Sequence, residues 1–210
     1  MSELSLHDAI YSLRAMRRLK SDPVPEADLR RLIDAATQAA SGENRQRWAF
    51  VVVTDPDKRR RLGEIYRALG HRYLRDAGLE RDAESEDLRR VYRGALALVE
   101  RLGEAPALIL VCVRGRAPSN SLESTTYYGS IFPAIQNLML TARSLGLGTT
   151  LTTLHKARDA EVKEVLGIPD EVETVALIPV GYPEGRFGKP RRRPGTEVTH
   201  WNRWEPNKSD

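Results

Sequence analysis

Two groups of side chains in this sequence are suited to holding an anionic, hydroxyl-rich ligand. The first is cationic. Arg14, Arg17 and Arg18 fall close together near the start, and Arg191 and Arg192 stand in a basic run near the end. Guanidinium forks match phosphate oxygens in pairs. At the end of a helix the same cations would instead complement the helix dipole. The second group is Ser41-Gly42-Glu43-Asn44-Arg45-Gln46-Arg47-Trp48. Ser41, Asn44 and Gln46 offer short donors and acceptors, and Gly42 permits tight backbone geometry. Read alone, this stretch is equally a polar helix-to-strand connection. Other chemistries find no support. His7, His71, His155 and His200 form no Ser/His/Asp set, and each reads as a surface or packing residue. Cys112 is the one cysteine, lies in an apolar run and lacks metal-ligand spacing. It reads as core packing in a reducing compartment, and no metal site is expected. A Gly-x-Gly-x-x-Gly fingerprint is absent, which argues against a Rossmann-type dinucleotide site.

The elements that must position these groups follow from periodicity. Ser5 with Asp8 reads as a capped helix start. Leu6, Ile10 and Leu13 share one face of a helix expected to run on through Arg14–Lys20, ending before Pro23. A second helix carries Leu29, Leu32, Ile33, Ala36 and Ala40 up to the polar loop. Phe50–Val53 is continuously apolar, so strand Ala49–Thr54 is expected to be buried on both faces. Asp55-Pro56 opens another helix with Leu62, Ile65, Tyr66 and Leu69. Residues 70–104 are rich in charge and read as one or two surface helices, in the manner of a lid. Ala107–Val113 is a second buried strand, and residues 114–126 look turn-rich. A long helix follows with Ile131, Ile135, Leu138, Ala142 and Leu145 at helical spacing, ended by Gly146. Its Gln136 and Asn137 are expected to hydrogen-bond within the core. Thr149–Leu154 reads as a short β segment, Asp159–Leu166 as a helix stopped by Gly167, and Glu173–Tyr182 as a strand. The fold class is α+β, a mixed sheet of about four or five strands packed by helices.

At 210 residues the chain reads as one domain, 1–210, with a basic C-terminal extension over 183–210. The net charge is +4 and arginines mostly alternate with Glu and Asp, which marks solvated helix faces rather than a nucleic-acid footprint. No apolar stretch approaches the ~20 residues of a membrane span, and the first residues lack a signal-like apolar run. Neither a nucleic-acid nor a membrane partner is expected, and cytoplasmic residence is.

The order of motifs resembles the nitroreductase family of FMN-dependent oxidoreductases. The match rests on Arg14-Ala15-Met16-Arg17-Arg18, on Ala40–Trp48 leading into a strand, on Ala142-Arg143-Ser144-Leu145-Gly146-Leu147-Gly148-Thr149, and on Gly181-Tyr182-Pro183 with the basic stretch after it. The resemblance implies a nitroreductase-like homodimer. Its long central helix would lie in the interface, and its C-terminal tail would be swapped onto the partner, burying Trp201 and Trp204. It implies an FMN between subunits, with Arg14–Arg18, Arg191 and Arg192 at the phosphate. Ser41, Asn44 and Gln46 would sit at the ribityl and pyrimidine groups, and Leu151, Thr152, Thr153 and Leu154 at N5. No side chain need act as a nucleophile, while Arg17 would support the reduced ring electrostatically. The implied activity is ping-pong transfer of hydride from NADH or NADPH to nitroaromatics, quinones or other electron-poor acceptors. Reductive dehalogenation, flavin fragmentation, azoline dehydrogenation and non-catalytic FMN binding are the alternatives. The chain departs from the family pattern in having Leu13 and Ala15 where Arg and Ser are usual, Arg47 in place of Pro, and Thr153 in place of an acidic residue.

Overall fold

In a computed structural model of the chain, residues 4–76 and 86–204 are described. The first helix, α1 (Leu6–Ser12), starts as its capping residues dictate. The Ser5 hydroxyl accepts from the Asp8 N–H at 3.0 Å and donates to the Asp8 carboxylate at 2.6 Å. Helices α2 (Glu26–Ala36) and α3 (Pro56–Asp76) flank strand β1 (Trp48–Val53). Asp55 caps α3 by accepting from the Lys58 N–H at 2.8 Å. Then come α4 (Glu86–Arg101), β2 (Ala107–Arg114), α5 (Ser121–Ser144), β3 (Gly148–Thr149), α6 (Asp159–Leu166) and β4 (Val172–Gly181). Helix α4 lies in the stretch expected to carry surface helices; residues 77–85 of that stretch fall outside the described residues.

The sheet has the order β1-β2-β4-β3, and its named strands pair antiparallel throughout rather than mixing directions. Central strand β2 is buried on both faces. Ala107, Ile109, Val111 and Val113 enter one core with α2 and α5, while Leu108, Leu110 and Cys112 enter another with α3, α4 and α6. Alternation with period two, apolar on both sides, makes a sheet with helices on each face. Strand β1 does not share this burial. It is an edge strand, and Val52 stays 39% exposed.

Two further expectations shift. Helix α5 begins ten residues before Ile131, because Asn120 caps it by accepting from the Glu123 N–H at 2.9 Å; this absorbs part of the stretch read as turns. Gln136 is exposed, and only Asn137 bonds inward, donating to Ala35 O at 3.3 Å. The helix ends as expected. Gly146 adopts φ 76°, and the Leu147 N–H returns to Ala142 O at 2.8 Å. Helix α6 likewise stops at Gly167 with φ 68°. Over residues 184–204 the tail is irregular but for a 3₁₀ turn at Gly195–Glu197, and Trp201 and Trp204 are each 81% exposed.

Candidate functional site

The cationic segment leaves the helix at Leu13 and runs extended. The Met16 N–H donates to Thr149 O at 2.8 Å, the Lys20 N–H donates to Tyr182 O at 2.8 Å, and Arg18 O accepts from the Glu184 N–H at 3.1 Å. A continued helix would bring Arg14, Arg17 and Arg18 together at spacings of three and four residues, where like charges destabilise. The extended path buries Met16 and Leu19 and leaves Arg14 and Arg18 exposed. Met16, expected among the ligand-binding residues, gives its side chain to the core; it packs so tightly on Gly148 that a Cβ added there would lie 2.9 Å from the Met16 Cβ.

Arg14 lines a cavity of about 710 Å³ with Ala15, Gln136, Lys189, Arg191 and Arg192. Residues from the two ends of the chain therefore line one cavity. Several contacts hold the returning tail. Arg14 Nη2 donates to Arg186 O at 2.6 Å. The Arg143 guanidinium lies 4.0 Å over the Phe187 ring and donates from Nε to Ser12 Oγ at 2.9 Å, and the Lys189 ammonium sits 5.7 Å over the Tyr11 ring. Arg17 and Arg18 do not line this cavity. Arg17 runs toward α4, where a Cβ on Gly94 would lie 3.6 Å from its Cδ.

Beyond β3 the chain is tied back to β4 at Thr152. Thr152 exchanges both backbone hydrogen bonds with Leu177, at 3.1 and 2.8 Å, and its hydroxyl lies 2.9 Å from the Tyr66 hydroxyl. The Leu151 and Thr153 amides have no acceptor among the described residues. Behind them His155 is buried, its Nε2 3.2 Å from Thr174 Oγ1, and Thr174 in turn donates to Asp159. Burial pushes the His155 pKa down to about 4, opposed in part by the Asp159 carboxylate, so the ring is neutral. Burial acts to raise the Asp159 pKa, but the bond from Thr174 and the charges of Lys156 and Lys163 outweigh it and hold the group below the ordinary carboxylate value.

The polar loop is organised by its own side chains. The Gln46 N–H donates to Ser41 Oγ at 2.9 Å, and Gln46 Nε2 donates to Asn44 Oδ1 at 2.8 Å. The Gly42 N–H reaches Ser130 Oγ on α5 at 3.2 Å. Glu43, Asn44 and Gln46 hold φ of 53°, 52° and 46°, a region non-glycine residues seldom enter. Backbone held this way is found mostly at functional positions. Asn44 Nδ2 and Gln46 Oε1 stay without partners among the described residues. The loop walls a second cavity, about 510 Å³, with Arg47, Glu123, Tyr127 and Ser130. The Tyr127 hydroxyl donates to Gly115 O at 2.7 Å, and burial pushes its pKa up to about 12.

Three residues at these sites lie outside the expected set. Lys189 belongs to the same basic run as Arg191. Ser130 sits on the α5 face turned to the loop. Tyr66 was legible only as part of an apolar stripe, although a hydroxyl on such a stripe must find a partner when buried. The two cavities share no lining residue. Ser130 and Met139, one from each, are nine residues apart on α5, about half a turn around the axis at roughly 100° per residue. Within one chain, α5 thus stands between the polar loop and the cations.

Comparison with known proteins gives this arrangement a context. The sequence profile described as the Nitroreductase family matches residues 10–182. Iodotyrosine deiodinase 1 of Rattus norvegicus is 30% identical over 187 residues, which are 87% of this chain and 64% of that protein, so the chain spans less than two thirds of that relative. A NADH dehydrogenase of Thermus thermophilus is 28% identical over 208 residues, 94% of this chain and 96% of the other. Among solved structures, oxidized iodotyrosine deiodinase bound to FMN and 3-iodo-L-tyrosine superposes with a TM-score of 0.75 at 24% identity, over 95% of this chain and 100% of that one. The NADPH:FMN oxidoreductase of Vibrio harveyi complexed with NAD+ gives 0.70 at 20% identity, over 96% and 78%. At these identities the structures speak for the fold. With the profile spanning most of the sequence, the chain belongs to the nitroreductase family.

Proposed function

We propose that the protein is an FMN-dependent oxidoreductase, acting as a homodimer, that uses NADH or NADPH to reduce electron-poor small molecules such as nitroaromatics and quinones. The observation that carries this reading is the cavity in which Arg14 meets Lys189, Arg191 and Arg192 from the other end of the chain. No lining residue of that cavity is acidic, and four of them are cations, a lining that suits a multiply charged anion.

The donor set fits FMN. Arg14, Arg191 and Arg192 would hold its phosphate. The Leu151 and Thr153 amides would face its ring edge, and Asn44 and Gln46 of a second chain would meet its polar groups. Because α5 separates loop from cations within one chain, a two-fold pairing through α5 supplies the missing half. The exposed Leu6, Ile10 and Phe132, on α1 and α5, suit that contact, and the exposed Trp201 and Trp204 suit a tail laid on the partner. When bound, FMN supplies hydride chemistry at N5. The chain's own part is to fix the phosphate, to present N–H donors to the ring edge, and to place the Arg17 cation beside it. The net reaction takes NAD(P)H, a proton and an acceptor to NAD(P)+ and the two-electron-reduced acceptor. The single buried thiol agrees with a reducing, cytoplasmic setting.

The similarity to iodotyrosine deiodinase 1 favours one second reading, reductive dehalogenation, in which hydride replaces halide and the halide leaves as an anion. Purified protein is expected to retain FMN, turn yellow, and bleach with NADH or NADPH under exclusion of oxygen. Nitrobenzoate, menadione and 3-iodotyrosine, offered in turn with product and iodide analysis, separate the two chemistries. A protein that retains no added FMN sinks both.

A further inference from the structure

Tyr66 has a hydroxyl that packing does not explain. It lies on the buried stripe of α3 with Leu62, Ile65 and Leu74, where a phenylalanine would fill the same space. A hydroxyl taken out of water needs a partner, and this one reaches across to Thr152 Oγ1 at 2.9 Å. Thr152 is the residue at which the segment after β3 is pinned to β4, through both backbone bonds with Leu177. In an antiparallel pairing, amides directed at the partner alternate with amides directed away. Fixing Thr152 therefore aims the Leu151 and Thr153 amides away from the sheet, where they have no acceptor among the described residues. Beyond Thr152 no regular strand takes over. Thr153 sits at φ −120° and ψ 3°, and a 3₁₀ turn begins at Leu154. The direction of the Thr153 amide then depends on how firmly Thr152 is held, and the Tyr66 hydroxyl holds its side chain from the helical layer. Burial raises the Tyr66 pKa, and the Arg17 charge counts among the influences drawing it back.

We propose that Tyr66 is a positioning residue: its hydroxyl clamps Thr152 so that the Leu151 and Thr153 amides face the ring edge of the bound flavin. The proposal rests on the FMN reading above and adds to it a residue with no part in the basic or polar motifs. Removing the hydroxyl leaves the ring, the helix and the core in place, and the Thr152 hydroxyl keeps only the longer bond from the Leu154 N–H at 3.4 Å. The amides then lose their aim, and the effect falls on the reaction step rather than on nicotinamide binding.

The test compares wild type, Tyr66→Phe, Thr152→Val and the double variant. Amide exchange over residues 151–154 is followed in cofactor-free protein. The kcat and KM for NADH and the flavin midpoint potential are measured after FMN loading. In Tyr66→Phe the Thr152 amide is expected to exchange about tenfold faster and kcat to fall about tenfold at unchanged KM, the scale of one lost buried hydrogen bond. The potential is expected to move in the same direction in both single variants, and the double variant to be no worse than either. Two results would overturn the clamp: a Tyr66→Phe protein altered only in melting temperature, or a double variant whose kcat loss is the product of the single losses. If wild type holds no FMN, the functional reading fails and the role of Tyr66 in it fails too; amide exchange still reports whether the clamp exists. If wild type turns over and Tyr66→Phe matches it, only the Tyr66 inference fails.

Discussion

The two cavities beside α5 are built by opposite means. The cationic one recruits charge over long sequence distances; Arg14 bonds to the carbonyl of a residue 172 positions away. Its backbone is ordinary, and its lining carries four cations and no acidic side chain. The loop cavity is local. The loop that walls it is tied by bonds within Ser41–Gln46 and strained by three non-glycine residues at positive φ, about 1 kcal/mol each, of which Glu43 lines the cavity and Asn44 and Gln46 do not. On the first side the charges come from separate stretches and can be removed one at a time. On the second side the groups and the shape come as one. Both sides lean on α5, so the contrast can be erased at once or probed one side at a time.

Erasing it calls for a core change in α5. Leu138 is fully buried in the core between α5 and the sheet. Leu138→Ala is expected to destabilise the protein by about 3 kcal/mol, read from the urea midpoint, and to lower FMN retention through both cavities together. A variant that keeps its stability but loses FMN would show that α5 serves only the ligand. Acid acts more selectively, behind the segment that carries the Leu151 and Thr153 amides. The folded pKa of His155 is depressed to about 4, so between the ordinary value near 6.5 and about 4 the unfolded chain binds the extra proton. Stability is therefore lost as pH falls through that window, by about 2 kcal/mol at pH 5. Asp159, also depressed, adds its loss below its ordinary value, in the same direction. His155→Gln should flatten the urea midpoint between pH 7 and 5; an unchanged slope would place the acid sensitivity elsewhere.

Arg14→Ala tests the cationic side alone. Loss of a charge-assisted contact is expected to weaken FMN binding tenfold or more, well beyond the small drop in melting temperature that the missing bond to Arg186 O brings to the cofactor-free protein. The difference should narrow as salt rises. Arg14→Lys restores the charge without the fork, so an intermediate affinity is expected if pairwise contact with phosphate oxygens matters. Equal affinity for FMN and riboflavin in wild type would remove the phosphate from the account.

How far these sites could be read from sequence follows the same division. That Arg14 shares a cavity with Arg191 and Arg192 was foreshadowed by the family resemblance, which assigns them to one phosphate; charge at the two ends of a chain does not by itself bring them together. The caps at Ser5, Gly146 and Gly167 were readable because each is a local stereochemical demand. The path of the chain from Leu13 to Lys20 was not. Helical spacing continues there, and what overrides it is the burial of Met16 and Leu19 against Gly148, a contact with a distant residue. The exposure of β1 was hidden for a similar reason, since an apolar run does not say whether its strand lies at the centre or the edge of a sheet. In the loop the residue types were legible and their use was not. Ser41, Asn44 and Gln46 bond to one another before any ligand does, and positive φ at Glu43 carries no sequence mark.

The smallest expected effect is the most discriminating for that loop. Asn44 holds φ 52° and accepts from Gln46, so shape and side chain can be separated there with two substitutions. Asn44→Ala keeps a Cβ at positive φ and removes the acceptor; it should lose about 1 kcal/mol of stability and loosen FMN several-fold. Asn44→Gly accepts the conformation freely, so its melting temperature should stay near wild type. Its FMN affinity should nonetheless fall as far as that of Asn44→Ala, because a glycine that can adopt the bound shape can also leave it, and the Gln46 amide has lost its anchor. If Asn44→Gly binds FMN as tightly as wild type, the loop contributes only its backbone. The two cavities would then differ in kind: side-chain charge on one face of α5 and main-chain geometry on the other.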